Sequence, residues 1–539
     1  MSKSVFLSLH PFFEEGPING RKKANAFFMS ALLDLDPFDS YHFFVDNPSG
    51  LEQLWKKYSH LHALRRDALR AFTRRDLLSS LASIQYTVCH LSDPIDDYVN
   101  VAVARNRFSS SLFPLTAPNH TLSYCRYGTS FQNYIWDGWG PCDLLGCNSR
   151  AALSVVRQYF SLLNDRGYNL PKLEVLHMGS VLPVQDGMVE RRRAIRSKLK
   201  INEDAILLFF LGRLSSVDKM DPLPLLLALR RAQEMSPNLE MTLVVSGASS
   251  DDEDPLFSVL PLLAKRLNLD VRLIPNPDES DKDALFCASD IFVSPSDNIQ
   301  ETFGLTLVEA FAYSLPVIAS DWDGYKDIVE HNVTGILVPT ITPFDTPVLD
   351  TQSMFMFDNH YHFLRGQMTC IDIPAFSNAI ALLASDPLLR QRMGKAGRER
   401  VVKYFSWQAA VERWCSMWSK LINTQIAAST QSRMRFAQHP LFLPFGRIFS
   451  QFSTGHLSDD DYLSLSSLGE MLLRGTFPWQ SFDIFRFGFS EENLRPLLVY
   501  ARNGVSFAAL RKKCSLDSEL FERYVLWCLK HDLLERSSQ

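Results

Sequence analysis

The chain lacks any C-x-x-C pair: its nine cysteines are scattered over 539 residues. Without metal-ligand spacing or the density of a small disulfide framework, they are expected to be reduced thiols in a cytosolic protein. An excess of one charge is missing as well. Lys and Arg number 55 against 60 Asp and Glu, a formal net charge of −5. That excludes a dedicated nucleic-acid binder, which carries surplus cations to meet phosphates. No apolar run approaches the ~20 residues needed to cross a bilayer. The opening run MSKSVFLSLHPFFEEG is broken at His10 and Pro11 and precedes no small-residue cleavage site, so it reads as a first strand and not a signal peptide. What is present is a globular composition, 46% hydrophobic and 21% charged, in a chain too long for one core.

Apolar runs alternate with helix-like segments along most of the chain. Val5–Leu9, Tyr41–Val45, Ile84–Leu91 and Asp143–Cys147 read as strands, with a helix over Lys22–Leu33. A second series starts at Ala205: strands at Ile206–Leu211, Met241–Ser246, Val271–Ile274, Ile291–Val293 and Pro316–Ala319, helices at Leu223–Gln233 and Leu305–Tyr313. Such alternation predicts two α/β domains, each a parallel sheet covered by helices. The expected boundaries are 1–185 and 186–424, then a linker over 425–454 where periodicity fades, then a small helical domain over 455–539. A polar and aromatic insertion interrupts the second series at 341–368. The basic amphipathic stretch Leu61–Leu78 reads as a solvated helix on the first domain, with a membrane-surface helix as the alternative.

The chemistry concentrates between Ser289 and Pro339. A strand ends at Pro295-Ser296, a polar loop follows, and a helix starts near Gly304. Open α/β sheets bind ligands at such strand ends. The N–H groups of Phe303, Gly304 and Leu305 would meet an anion there, aided by the helix dipole, with Gly304 leaving the backbone uncovered. Glu301 and Glu309 flank the helix start eight positions apart. They suit hydroxyls of a sugar and a ribose; acids placed there only to satisfy the dipole are the alternative. Upstream, FFLGRLSSVDKMDPL sets Gly212, Arg213 and Lys219 on a strand–turn–helix, where two cations can share a diphosphate or stand solvated. His120 ends FPLTAPNHTLSY, as a structural residue or a cleft residue, with His90 as its competitor.

The Ser289–Pro339 block resembles the E-x7-E signature of retaining glycosyltransferase family 4. It shares the FGLTLVEA helix, the PVIASD strand and the TGILVP turn. The resemblance spans about residues 1–422 and implies the GT-B fold, two Rossmann-like domains facing a cleft. It implies sugar contact for Glu301, ribose contact for Glu309, diphosphate contact for Arg213 and Lys219, and a donor-facing role for His120. It also implies donor binding by Gly20, Gly212, Phe303, Gly304 and Leu305. Lys219 is followed by Met220 where the family usually has Gly, and of GPING only Gly20 matches the family's Gly-Gly turn. The implied activity is retaining transfer from a UDP- or GDP-sugar to an acceptor hydroxyl on a glycan, lipid or protein. No metal and no cofactor is required, since protein cations face the phosphates.

Two further readings fit the same residues: a GT-B sugar-nucleotide epimerase, and a sugar-binding or regulatory protein without transferase activity. The tail resembles a winged-helix or helix-turn-helix core, but its charges balance, which favours a protein partner for 455–539 over nucleic acid. The triplet Asp459–Asp461 reads as a turn or a helix start. The expected location is cytoplasmic, with a peripheral membrane position open.

Overall fold

In the computed structural model the apolar runs of the first 180 residues pair as one sheet. Its strands are β1 (Val5–Ser8), β2 (Ser40–Val45), β3 (Leu69–Thr73), β4 (Val88–His90), β5 (Leu115–Pro118), β6 (Leu144–Cys147) and β7 (Lys172–Val175). They pair in parallel, in the order β3-β2-β1-β4-β5-β6-β7. The structure describes residues 4–10, 12, 20–46, 56, 68–215, 219–248, 256–482 and 489–537. Most strands are buried along their whole length, as expected when helices cover both faces. One reading changes. Residues 69–73, expected inside a basic helix over 61–78, form the edge strand β3, because the open edge of β2 takes up their backbone in parallel register, Tyr41 beside Leu69 through Val45 beside Thr73. The rest of that segment up to 67 lies outside the described residues.

The second sheet is built the same way. β8 (Ile206–Leu211), β9 (Met241–Gly247), β10 (Asp270–Pro275), β11 (Ile291–Ser294), β12 (Val317–Ser320) and β13 (Gly335–Val338) run parallel in the order β10-β9-β8-β11-β12-β13. The order reverses between β8 and β11, and a ligand crevice opens at such a reversal, beyond the strand C-termini. The segments leaving those two strands are Gly212-Arg213 and the loop to Gly304. The expected α/β class with two Rossmann-like lobes is borne out, and GILV at 335–338 is a strand where a turn was expected.

The chain then returns to the first lobe. Helix Trp407–Ile422 buries Trp407, Ala410, Val411, Trp414, Trp418 and Leu421, a stripe at helical spacing. It packs with Phe6, Phe28 and Met29 of the first lobe. Trp414 fits because Gly146 has no side chain: a Cβ there would stand 2.5 Å from the indole. The helix assigned to the second domain by sequence thus closes the first, because its apolar stripe packs into that lobe's core. Residues 428–442 also differ from the expected linker. Helix Ala428–Phe436 buries Met434, Arg433 bonds the Trp139 carbonyl at 2.9 Å, and His439 bonds the Asn133 carbonyl at 2.7 Å. The first compact unit accordingly runs Met1–Phe442.

The insertion forms helices Pro347–Gln352 and Asp358–Gln367 inside a two-stranded ribbon, Thr340–Ile341 with Cys370–Ile371. Its second helix reaches the first lobe: the Cys125 N–H donates to Asp358 at 2.8 Å, and His362 Nε2 meets the Ser123 carbonyl at 3.2 Å.

The second unit, Leu443–Gln539, has a core of Leu494, Leu498, Phe521, Val525 and Cys528. Besides the expected helices it holds a three-stranded antiparallel sheet, with Tyr462–Leu465 between Val505–Ser506 and Leu534–Ser537. Asp461 closes a turn by accepting from the Ser458 N–H at 2.7 Å and pairing with Arg536 at 2.8 Å.

Because 428–442 packs on the first lobe, a chain cut after residue 442 should stay folded. One cut after residue 427 should melt several degrees lower. Thermal unfolding of the two truncations checks this, and equal melting would restore the linker reading.

Candidate functional site

A cavity of about 430 Å³ lies between the two lobes of the first unit. Gly20, His120, Gly212, Arg213, Lys219, Glu301, Phe303, Gly304 and Leu305 all line it. Nine residues singled out along the sequence are thus brought to one wall system, though separated by up to 285 positions. The floor depends on glycine. Gly304 has φ 113°, and a Cβ there would stand 2.6 Å from the Tyr325 ring; only glycine adopts that backbone without strain. It caps helix Leu305–Ala312 without a side chain; the Leu307 N–H turns back to the Gly304 carbonyl at 3.1 Å, which leaves the N–H groups of Leu305 and Thr306, both in the cavity lining, for an anion. Phe303 differs from expectation. Its N–H is turned toward Glu301 Oε1, 3.5 Å away, and its ring packs 6.1 Å from His177 as part of the core.

The charges are arranged in pairs. Lys219 Nζ stands 2.6 Å from Glu301 Oε2, both side chains largely buried. Burial alone would raise the Glu301 carboxyl, but the Lys219 ammonium and the Phe303 and Thr302 N–H groups hold it below the ordinary carboxylate value. Glu301 therefore stays ionised, able to accept from hydroxyls. Tyr325 OH approaches the same carboxylate at 3.4 Å. Asp323, at φ 43°, is pushed well up by burial and by the charge of Glu301. Below this group, burial above all raises Asp297 to about 7, against the N–H of Asp221 that it accepts at 3.2 Å.

Glu309 lies apart from the others. It lines a second cavity of about 350 Å³ with Lys23, Glu279 and Lys282, joined to the first by Leu305, which lines both. Lys282 pairs with Glu309, and Lys23 reaches across to Glu279 at 2.5 Å. Two turns of helix explain the separation: Glu301 precedes the helix start and Glu309 points from its side.

His120 lines the cavity with Nε2 2.9 Å from the Ser92 carbonyl and 3.1 Å from Asn25 Oδ1. The competitor His90 is core. It is fully buried between Phe12, Phe28 and Trp414, and burial lowers its pKa to about 3. Gly20 begins helix Gly20–Leu35 opposite Leu305; the rest of GPING is outside the described residues.

Sequence reasoning passed over several lining residues: Asp93, Asp96, Tyr124, Arg126, Tyr127, Asn148 and Gln300. Most belong to the first lobe, whose loops carry no short signature. Asn148 and Ser149 do a definable job, donating to Thr302 Oγ1 at 3.1 Å and to the Thr302 carbonyl at 2.8 Å. Asp327 accepts from the Arg150 N–H at 2.7 Å and from His177 at 3.1 Å. Burial works against it, yet those donors lower its carboxyl to about 2.

Two parallel-sheet lobes facing a cleft, with cations, a helix N-terminus and a buried carboxylate at the strand ends, form a GT-B architecture. Residues 191–343 match the family model described as glycosyl transferases group 1. A D-inositol 3-phosphate glycosyltransferase of Kribbella flavida is 26% identical over 340 residues, 60% of this chain and 69% of that protein. The Nocardioides protein of the same name is 34% identical over 198 residues, 34% of this chain and 41% of its own length. The chain thus spans between two fifths and about two thirds of these two relatives. Among solved structures, a glycosyltransferase of Rickettsia africae aligns with TM-score 0.52 at 13% identity, covering 79% of this chain and all of that one. Anabaena HepE in complex with UDP aligns with TM-score 0.51 at 16% identity, covering 78% of this chain and 100% of its own. Both share the fold.

Asp297 gives a pH test. Its folded pKa of about 7 lies above the unfolded carboxyl value, so its contribution is fully present below about pH 4 and is lost as pH rises through 7. Asp297→Asn should therefore gain on the parent protein between pH 5 and 8, by about 2 °C or more in Tm. Melting curves across that range check it; a constant difference would mean that Asp297 is ionised throughout.

Proposed function

We propose that the chain moves a sugar from a nucleoside diphosphate donor to an acceptor hydroxyl, keeping the anomeric configuration and using no metal ion. The observation that carries this is the convergence of Arg213, Lys219 and the open N-terminus of helix Leu305–Ala312 on the cavity that holds Glu301. When the sugar C1–O bond breaks, the electron pair passes to the β-phosphate. Two cations and oriented N–H groups stabilise that growing charge more than they stabilise the intact donor. The acceptor oxygen bonds to C1 on the face the phosphate leaves, and its proton passes to the departing phosphate oxygen. Glu301, held ionised by Lys219, accepts from sugar hydroxyls and orients the ring; Glu309 accepts from the ribose once Lys282 yields.

The UDP held by HepE supports a uridine donor, with a guanosine donor as the other option. No helix among the described residues is long and apolar enough to cross a membrane. The reading keeps a cytoplasmic location, in line with nine cysteines that are all free thiols. It gives the second unit a role in acceptor or partner choice, since the donor groups all belong to the first.

Arg213→Ala and Lys219→Ala should each lower donor turnover about 10²-fold with little change in melting temperature. The parent protein should keep its rate in a chelator. Release of nucleoside diphosphate from UDP- and GDP-sugars is the measurement. Full turnover in both variants would make them solvated surface cations, and a rate restored only by Mg²⁺ would overturn the metal-free reading.

A further inference from the structure

Gln300 joins the two walls of the cleft. It is 9% exposed, on the loop between β11 and helix Leu305–Ala312. Its N–H donates to Asn298 Oδ1 at 3.0 Å, and the Asn298 carbonyl accepts from Trp322 Nε1 at 3.0 Å, so the turn that carries it is fixed. Its side-chain oxygen accepts from the Arg213 guanidinium, and its side-chain nitrogen donates to Tyr124 OH at 2.9 Å. A guanidinium only donates, so it must take the amide oxygen; the amide NH₂ is then left for the phenol oxygen. Arg213 belongs to the lobe of β8, and Tyr124 to the lobe of β5. Tyr124 is itself held edge-on by Tyr127, ring centres 5.5 Å apart, and leans on His362 of the insertion, also at 5.5 Å.

We propose that Gln300 is a positioning residue: it aims Arg213 at the donor diphosphate, and Tyr124 orients Gln300 when the lobes face each other. The inference rests on the reading of Arg213 as a diphosphate-binding group. A long cation at the mouth of a loop has many rotamers, and catalysis needs the one that meets the leaving charge. An amide anchored at both ends selects it, and ties that selection to the presence of the opposite lobe. A carboxylate at 300 would still accept from Arg213 and could accept from the Tyr124 O–H in place of donating to it, and an apolar side chain would do neither.

The test is a mutant cycle on the full chain, with kcat and KM for donor turnover and a melting curve for every variant. Gln300→Leu should lower kcat about 10- to 100-fold, the scale of a misplaced catalytic group. In an Arg213→Ala background the same change should cost less than about 2-fold, because there is nothing left to position. Gln300→Glu should retain more kcat than Gln300→Leu, since it can accept from both Arg213 and the Tyr124 O–H, and Tyr124→Phe should fall between the parent and Gln300→Leu, since it keeps the Arg213 anchor and loses the link to the other lobe. Independent losses, with Gln300→Leu as costly without Arg213 as with it, would overturn the proposal. So would a kcat that follows melting temperature across the variants. If Arg213→Ala is impaired while Gln300→Leu is normal, the positioning role alone falls. If Arg213→Ala itself turns over normally, the diphosphate reading falls and the proposal with it.

Discussion

Asp327 receives the N–H and guanidinium of Arg150 and the imidazole of His177, all from segments outside its own sheet. A carboxylate 3% exposed in its side chain can stay ionised only with such donors around it. It sits on the short helix Tyr325–Ile328, whose Tyr325 ring lies under Gly304 and whose hydroxyl meets Glu301. One buried charge therefore locks the segment after β6, the interlobe segment near His177 and the floor of the cleft into one arrangement. Ser149 and Asn148 extend the lock to Thr302, next to Glu301. The bonds of Asp358, His362 and Gln300 to the opposite lobe add to this set at the other side of the cavity.

The two lobes divide the labour. The second brings a rigid charged floor: Lys219 on Glu301, a glycine-capped helix end, and Arg213 at the end of β8. The first brings a more varied wall of Tyr124, Tyr127, Asp93, Asp96 and His120. The returning helix Trp407–Ile422 makes this division stable. It leaves the second lobe and buries its tryptophans in the first, and each large apolar side chain so buried contributes about 1.5–3 kcal/mol. Glu309, on helix Leu305–Ala312, and Lys282, on helix Glu279–Ala288, extend the charged floor into the neighbouring cavity.

The second lobe was legible because its chemistry is local. Glu301, Gly304, Leu305 and Glu309 lie within one loop and helix, and Gly212, Arg213 and Lys219 within another, so spacing along the chain approximates spacing in the molecule. The first-lobe wall comes from loops after different strands, with no common spacing to detect. Arg70 and Arg74, which suggested a basic helix, sit on and just after the edge strand β3, because residues of strong helical pattern still pair when a sheet edge is open. The expected linker hid a helix for a similar reason: Met434 and Arg433 show no periodicity worth noting, and their value lies in partners near residue 140.

By itself the sequence determined two parallel α/β lobes, the strand ends that carry the donor-side residues and the resemblance that names their chemistry. Hydrophobic alternation and glycine placement are properties of neighbouring residues, and they survive without knowledge of the fold. Only the tertiary structure decided that Glu309 occupies a separate cavity from Glu301, that His90 is core while His120 faces the cleft, and that the helix after Trp407 belongs to the first lobe. It alone placed Gln300 between Arg213 and Tyr124. Each of these depends on which distant segment fills the space beside a side chain, and burial and hydrogen bonding between segments far apart in the chain settle that where local pattern cannot.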